Sequence, residues 1–227
     1  MTSPHRRMAS VAITAFCVVP AAGALAAQAS AATLKADRPC YVNANPAQGA
    51  AMVITGAGFE PGTTVQLTGG TTFGSGVADA AGNVSIPAQA PELRTIAPAS
   101  KATLLTASAD NADGSQTTAT LKVQSANLAV ATKPGSVRNV AKQKVTFRFS
   151  GFVPGKHIFG YYLRKKVVGK TKFAKAQGPC GMLKQKALLF PGGHPKKDGY
   201  KVTFESSGTF KKNAFPRVTG MLQILHF

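Results

Sequence analysis

Gly58-Phe59-Glu60-Pro61-Gly62 returns 93 residues later, from 58 to 151, as Gly151-Phe152-Val153-Pro154-Gly155. In each copy the proline presets φ for the second position of a turn, and the glycine after it can take a positive φ. A strand-like run precedes each turn, Met52-Val53-Ile54-Thr55 in one copy and Val145-Thr146-Phe147-Arg148-Phe149 in the other. Another follows it, Val65-Gln66-Leu67 and Ile158-Phe159. The repeated unit is therefore strand, turn, strand, with a phenylalanine placed to plug the end of a sheet.

Working outward, the correspondence continues. Ala80-Ala81-Gly82-Asn83 takes the place of Ala176-Gln177-Gly178-Pro179, Leu104-Leu105-Thr106 that of Val202-Thr203-Phe204, and Leu121-Lys122-Val123 that of Leu222-Gln223-Ile224. Alternation supports the strands. Val145, Phe147 and Phe149 point one way while Lys142, Lys144, Thr146, Arg148 and Ser150 point the other. Tyr200, Val202 and Phe204 alternate with Lys201, Thr203 and Glu205, which are expected to face solvent. Met182 to Phe190 has the composition of a helix too, but its place opposite Val84-Ser85-Ile86 in the repeat favours a strand.

Each unit then reads as about seven short strands with turn signals at roughly 8 to 12 residue spacing, the pattern of an immunoglobulin-like β-sandwich. The 23 Gly and 14 Pro of the 227 residues oppose a helical bundle. The expected fold class is all-β: two tandem immunoglobulin-like β-sandwiches, residues 32–125 and 126–227, after a cleaved signal peptide, with Ser125-Ala126-Asn127 as a very short linker.

Residues 1–31 hold no acid, a basic start at Arg6 and Arg7, an apolar run from Val11 to Val19, and an Ala-rich stretch, the order of a secretory signal peptide. Cleavage fits after Ala29 or Ala31. The alternative, a membrane helix, meets Pro20 and Gly23 in a run already shorter than the roughly 20 residues a bilayer requires. The expected product is secreted, with possible partners in the cell wall. Removing Cys17 with that segment leaves Cys40 and Cys180, which can pair with each other or with another chain, or remain as buried thiols. Pairing within the chain would close a loop of about 140 residues, which the chain-entropy model values at about 4 to 5 kcal/mol.

Gly56-Ala57-Gly58-Phe59 with Pro61-Gly62, followed by Val77-Ala78-Asp79-Ala80-Ala81-Gly82-Asn83-Val84, resembles the small secreted immunoglobulin-like modules of actinobacteria, including the neocarzinostatin-like fold. Gly151-Phe152-Val153-Pro154-Gly155 with Gly178-Pro179-Cys180-Gly181 resembles uncharacterised exported proteins of the same bacteria. The resemblance implies export and sandwich architecture and no activity. Neocarzinostatin-like carriers have two disulfides within one module, whereas residues 32–125 hold only Cys40.

Charge separates the two units. The whole chain has 27 Lys plus Arg against 8 Asp plus Glu, net +19. Residues 32–125 carry five bases and six acids, while residues 126–227 carry twenty bases against only Asp198 and Glu205. Such asymmetry points to a polyanionic partner. The densest stretch, Arg164, Lys165, Lys166, Lys170, Lys172 and Lys175, reads as a hairpin with a basic tip. Lys142, Lys144 and Arg148 are candidates for a neighbouring face, and Tyr161 and Tyr162 for stacking on sugars or bases. These nine cations are the candidate anion-binding residues, for a phosphate-rich wall polymer, an acidic polysaccharide or lipid headgroups. The bland alternative is lysine that keeps strand faces wet and edges unpaired.

Nucleic acid fits the charge, but no helix-turn-helix, zinc-finger or RNA-binding signature accompanies it. No Gly-x-Ser-x-Gly is present, and no His or Cys cluster has metal-ligand spacing, so neither a cofactor nor a metal is expected. Asp198 and Glu205 as a glycosidase pair would sit in a positive field that depresses carboxylate pKa and disables a general acid. The sequence favours a non-enzymatic binding protein over its rival, a carrier of a small apolar ligand with incidental charge.

Overall fold

The computed structural model describes residues 31–132, 142–191 and 199–223. The expected signal peptide therefore lies outside the described residues, apart from Ala31, as do Asp198 and His194. The described chain is all-β. The first unit contains β1 (Thr33–Ala36), β2 (Tyr41–Asn43), β3 (Ala51–Ala57), β4 (Thr64–Gly69), β5 (Thr72–Val77), β6 (Val84–Gln89), β7 (Ser100–Asp110) and β8 (Gln116–Asn127). The second contains β9 (Ala129–Thr132), β10 (Lys144–Ser150), β11 (His157–Leu163), β12 (Val167–Lys175), β13 (Leu183–Leu188), β14 (Gly199–Glu205) and β15 (Arg217–Gln223).

The duplication is exact at the level of strand order. One sheet runs β1-β3-β6 in the first unit and β9-β10-β13 in the second; the facing sheet runs β5-β4-β7-β8 and β12-β11-β14-β15. Among the described residues only the first unit adds an edge strand, β2, parallel to β8. Two immunoglobulin-like sandwiches result, and the Met182–Phe190 stretch contributes a strand, β13, as its place in the repeat required. Inward residues of each unit form separate cores. The first is aliphatic, around Met52, Ile54, Val65, Leu67, Ile86 and Leu105. The second is aromatic, with Phe149 5.7 Å from Phe152, 4.8 Å from Phe173 and 5.5 Å from Phe204, ring centre to ring centre.

The recurring turn is held by the same hydrogen bonds twice. Gly62 N donates to Ala78 O at 2.9 Å and Gly155 N to Ala176 O at 2.9 Å; Phe59 N donates to Gly82 O at 3.2 Å and Phe152 N to Gly181 O at 3.3 Å. Both phenylalanines are buried in their cores. This bonding corrects one alignment. The counterpart of Gly82 is Gly181, three residues beyond the expected Gly178, because the second loop is longer and inserts Cys180 before it closes on Phe152.

The linker is corrected as well. Ser125, Ala126 and Asn127 are the last residues of β8, and all three are buried. They pair with Tyr41, Val42 and Asn43 of β2. Asn127 makes the junction: Nδ2 donates to the carbonyls of Thr95 and Ala97, while Oδ1 accepts from Ala99 N at 2.8 Å and from Ser150 Oγ at 3.0 Å. Ser150 Oγ also reaches the Asn127 carbonyl at 2.7 Å, so one side chain ties a loop of the first unit to β10 of the second. Asn127→Ala is expected to cost about 2 to 3 kcal/mol, since several buried polar groups lose partners together. Urea unfolding of the variant checks this.

Beside that junction Cys40 and Cys180 are bonded, with Cα atoms 5.4 Å apart and a sequence separation of 140. Ala126 and Met182 pack against the bridge. Among the described residues no helix is long and apolar enough to cross a membrane.

Candidate functional site

The nine candidate cations do not converge. They divide between the two outer faces of the second sandwich and the tip of one hairpin. Arg164, Lys165 and Lys166 form the β11–β12 turn, where Arg164 N donates to Lys166 O at 3.1 Å. Lys170 and Lys172 stand on β12 opposite Tyr161 and Phe159, on the outer face of the β12-β11-β14-β15 sheet, and Lys175 ends the strand. Lys142, Lys144 and Arg148 belong to the outer face of the other sheet, all exposed.

The first of these faces is largely closed. Tyr161 and Tyr162, expected to stack on ligand, are both buried. Tyr162 points into the core against Phe190, ring centres 5.3 Å apart, and its burial raises the phenol pKa to about 12. Tyr161 is covered by residues 206–216: its hydroxyl donates to Ser207 O at 2.8 Å and its ring meets Phe210 at 5.5 Å. Lys170 lies 4.8 Å from the Phe159 ring centre and 5.6 Å from that of Tyr161, and donates to Gly208 O. It is exposed but already engaged by groups of its own chain.

The same covering segment overturns the expected solvent face of β14. Thr203 and Glu205 are buried. Glu205, fully enclosed, pairs with Arg217 across β14 and β15 at 2.5 Å and accepts from Lys211 N at 3.2 Å. Arg217 in turn lies 5.1 Å from the Phe210 ring centre. Glu205 is thus a structural carboxylate held by a guanidinium.

The β9-β10-β13 face is open. Register places Lys186 opposite Thr146 and Lys184 opposite Arg148, with both lysines exposed. These two cations were missed from sequence, although the alternation Lys184-Gln185-Lys186 signals them once β13 is read as a strand. Glu205 is the second unit's only acid among the described residues, and it is buried on the opposite sheet. Among the described residues, the open face accordingly carries lysine and arginine with no acid of its own unit beside them.

His157 is engaged by backbone, with Nδ1 2.8 Å from Phe173 O. No group of three or more His, Cys, Asp or Glu among the described residues is placed to hold a metal ion. The second sandwich also has a half-open cleft of about 260 Å³, lined by Val130, Thr132, Phe147, Tyr162, Thr219 and Met221 among others.

No family model matches the chain. No curated protein matches it either. Similar solved structures include a tetra-tandem repeat in the extending region of a large adhesion protein, at 13% identity and TM-score 0.28, covering 85% of this chain and 50% of that one. Another is a Ca2+-stabilized adhesin that helps an Antarctic bacterium reach out and bind ice, at 13% identity and TM-score 0.31, covering 86% and 49%. The chain spans about half the length of these structures.

Proposed function

We propose that the chain is an exported, non-enzymatic binding protein of the cell envelope, in which residues 126–227 hold an anionic polymer or surface and residues 32–125 form a near-neutral companion unit. One observation carries the reading: twenty bases face two acids in the second unit, and the one acid among the described residues is buried in an ion pair. A lysine-rich face used only for solubility needs no such exclusion of acids, whereas an anion-binding face does. The Cys40–Cys180 bridge supports export, because disulfides persist in oxidising compartments.

The test is retention of the whole protein on immobilised anionic polymer across a salt gradient. Binding at low salt and release near 1 M is expected, because the Debye length contracts from about 10 Å at 0.1 M to about 3 Å at 1 M. The second reading, a carrier of a small apolar ligand, is favoured by the mostly apolar 260 Å³ cleft alone. It predicts retention of an apolar probe that is indifferent to salt, and no retention on the polymer.

A further inference from the structure

We propose that the polymer site is the outer face of the β9-β10-β13 sheet, and that its ligand is a flexible linear phosphodiester polymer lying along β10. This rests on the reading above and adds to it a place and a ligand chemistry. Outward residues of a strand recur every second position, about 7 Å apart. Along this face each step carries a cation: Lys142 just before β10, then Lys144, then Lys186 opposite Thr146, then Arg148 with Lys184 opposite it. Four successive steps give a row of positive charge with the repeat of an extended polymer bearing one charge per short linker.

The register also contains a conflict. Arg148 and Lys184 are direct cross-strand partners, and like charges so placed oppose sheet stability. An acid at either position would turn repulsion into attraction, yet among its described residues the face carries none. An anion bridging the two cations relieves the same conflict and restores the lost stability on binding.

The spacing of the face, rather than its cation type, favours the phosphodiester: four of its five cations are lysines, point charges that bind phosphate and carboxylate alike, but they recur at the roughly 7 Å step of an extended polymer with one charge per short linker. Thr146 supplies a hydroxyl at the centre of the group. Among the described residues no aromatic side chain belongs to the face, whose outward neighbours are Leu188 and Ala131, so these offer no platform for bases. The β11–β12 hairpin is the weaker candidate, since Lys170 is engaged by Gly208 and two rings.

The experiment measures binding of the whole protein at low salt to four probes: poly(glycerol phosphate), polygalacturonate, single-stranded DNA and phosphatidylglycerol vesicles. Wild type, Lys184→Glu, Lys184→Gln and Lys201→Glu are compared. Lys201 is exposed on the opposite sheet, so both glutamate variants change net charge equally. Poly(glycerol phosphate) is expected to bind best. Lys184→Glu is expected to lose at least tenfold in affinity and to melt at a higher temperature, because it pairs with Arg148. Lys184→Gln should fall between it and wild type, and Lys201→Glu should lose less than threefold. Equal losses in the two glutamate variants overturn the site and leave the general reading standing. So does a lowered melting temperature in Lys184→Glu, which denies the conflict. Tighter binding to any other probe overturns the phosphodiester assignment. Absence of binding to all four at low salt overturns the general reading itself.

Discussion

Gly181→Ala is expected to destabilise the second sandwich by at least about 4 kcal/mol, near the upper end for a single substitution. A Cβ at this position would stand 1.6 Å from the Phe152 carbonyl oxygen and 2.5 Å from its carbon. The obstacle is backbone, so no rotamer relieves it. Nor can the two segments part, because Phe152 N donates to Gly181 O across the same gap. Gly178, three residues earlier, has a similar φ of 65° against 58°, but nothing lies within 4 Å of its would-be Cβ. Gly178→Ala therefore carries only the left-handed strain, about 1 to 2 kcal/mol. Gly82→Ala, with Phe59 O at 2.5 Å, should fall between them. Urea midpoints at constant slope give the ranking, and equal midpoints for the Gly178 and Gly181 variants would show that crowding at Phe152 is not what the glycine serves.

The second large effect is expected on removing the bridge. The double substitution of Cys40 and Cys180 by serine frees a loop of 140 residues, and the entropy returned to the unfolded chain amounts to about 4 to 5 kcal/mol. Wild type in reductant should move to the same midpoint as the double variant, which separates loss of the covalent link from damage by serine. An unchanged midpoint in both would mean that the Asn127 junction and the two cores already confine the chain.

The parts of this fold that were legible in the sequence are those fixed by local chemistry. The repeated Gly-Phe-x-Pro-Gly turn needs positive φ at Gly58, Gly62, Gly151 and Gly155, and all four have it. Alternation along β10 needs only the period of a strand. What escaped depends on contacts between distant segments. Glu205 has the spacing of a solvent residue, and only the return of residues 206–216 over β14, with Arg217 following, encloses it. Tyr161 is polar-tipped and sits beside lysines, yet Ser207 and Phe210 close it off. Lys184 and Lys186 join the Lys144 and Arg148 face only through pairing of strands about 40 residues apart, which no local pattern reports. Asn127 looked like linker because a lone asparagine among small residues marks loops; its four partners come from two units. The bridge followed from counting cysteines, although the choice between partners required their placement.

The covalent link between Cys40 and Cys180 also decides how the protein bears tension. A pull applied to the chain on either side of the two cysteines travels through the sulfur bond and bypasses the residues between them. Most of both cores lies inside that bypass, including every strand from β2 to β12. At about 3.3 Å per extended residue the 140-residue span could otherwise pay out on the order of 460 Å of slack. Oxidised, the protein can lengthen only by what lies outside the bridge, β1 and the chain from β13 onward; reduced, the same chain gains the whole bridged span as slack.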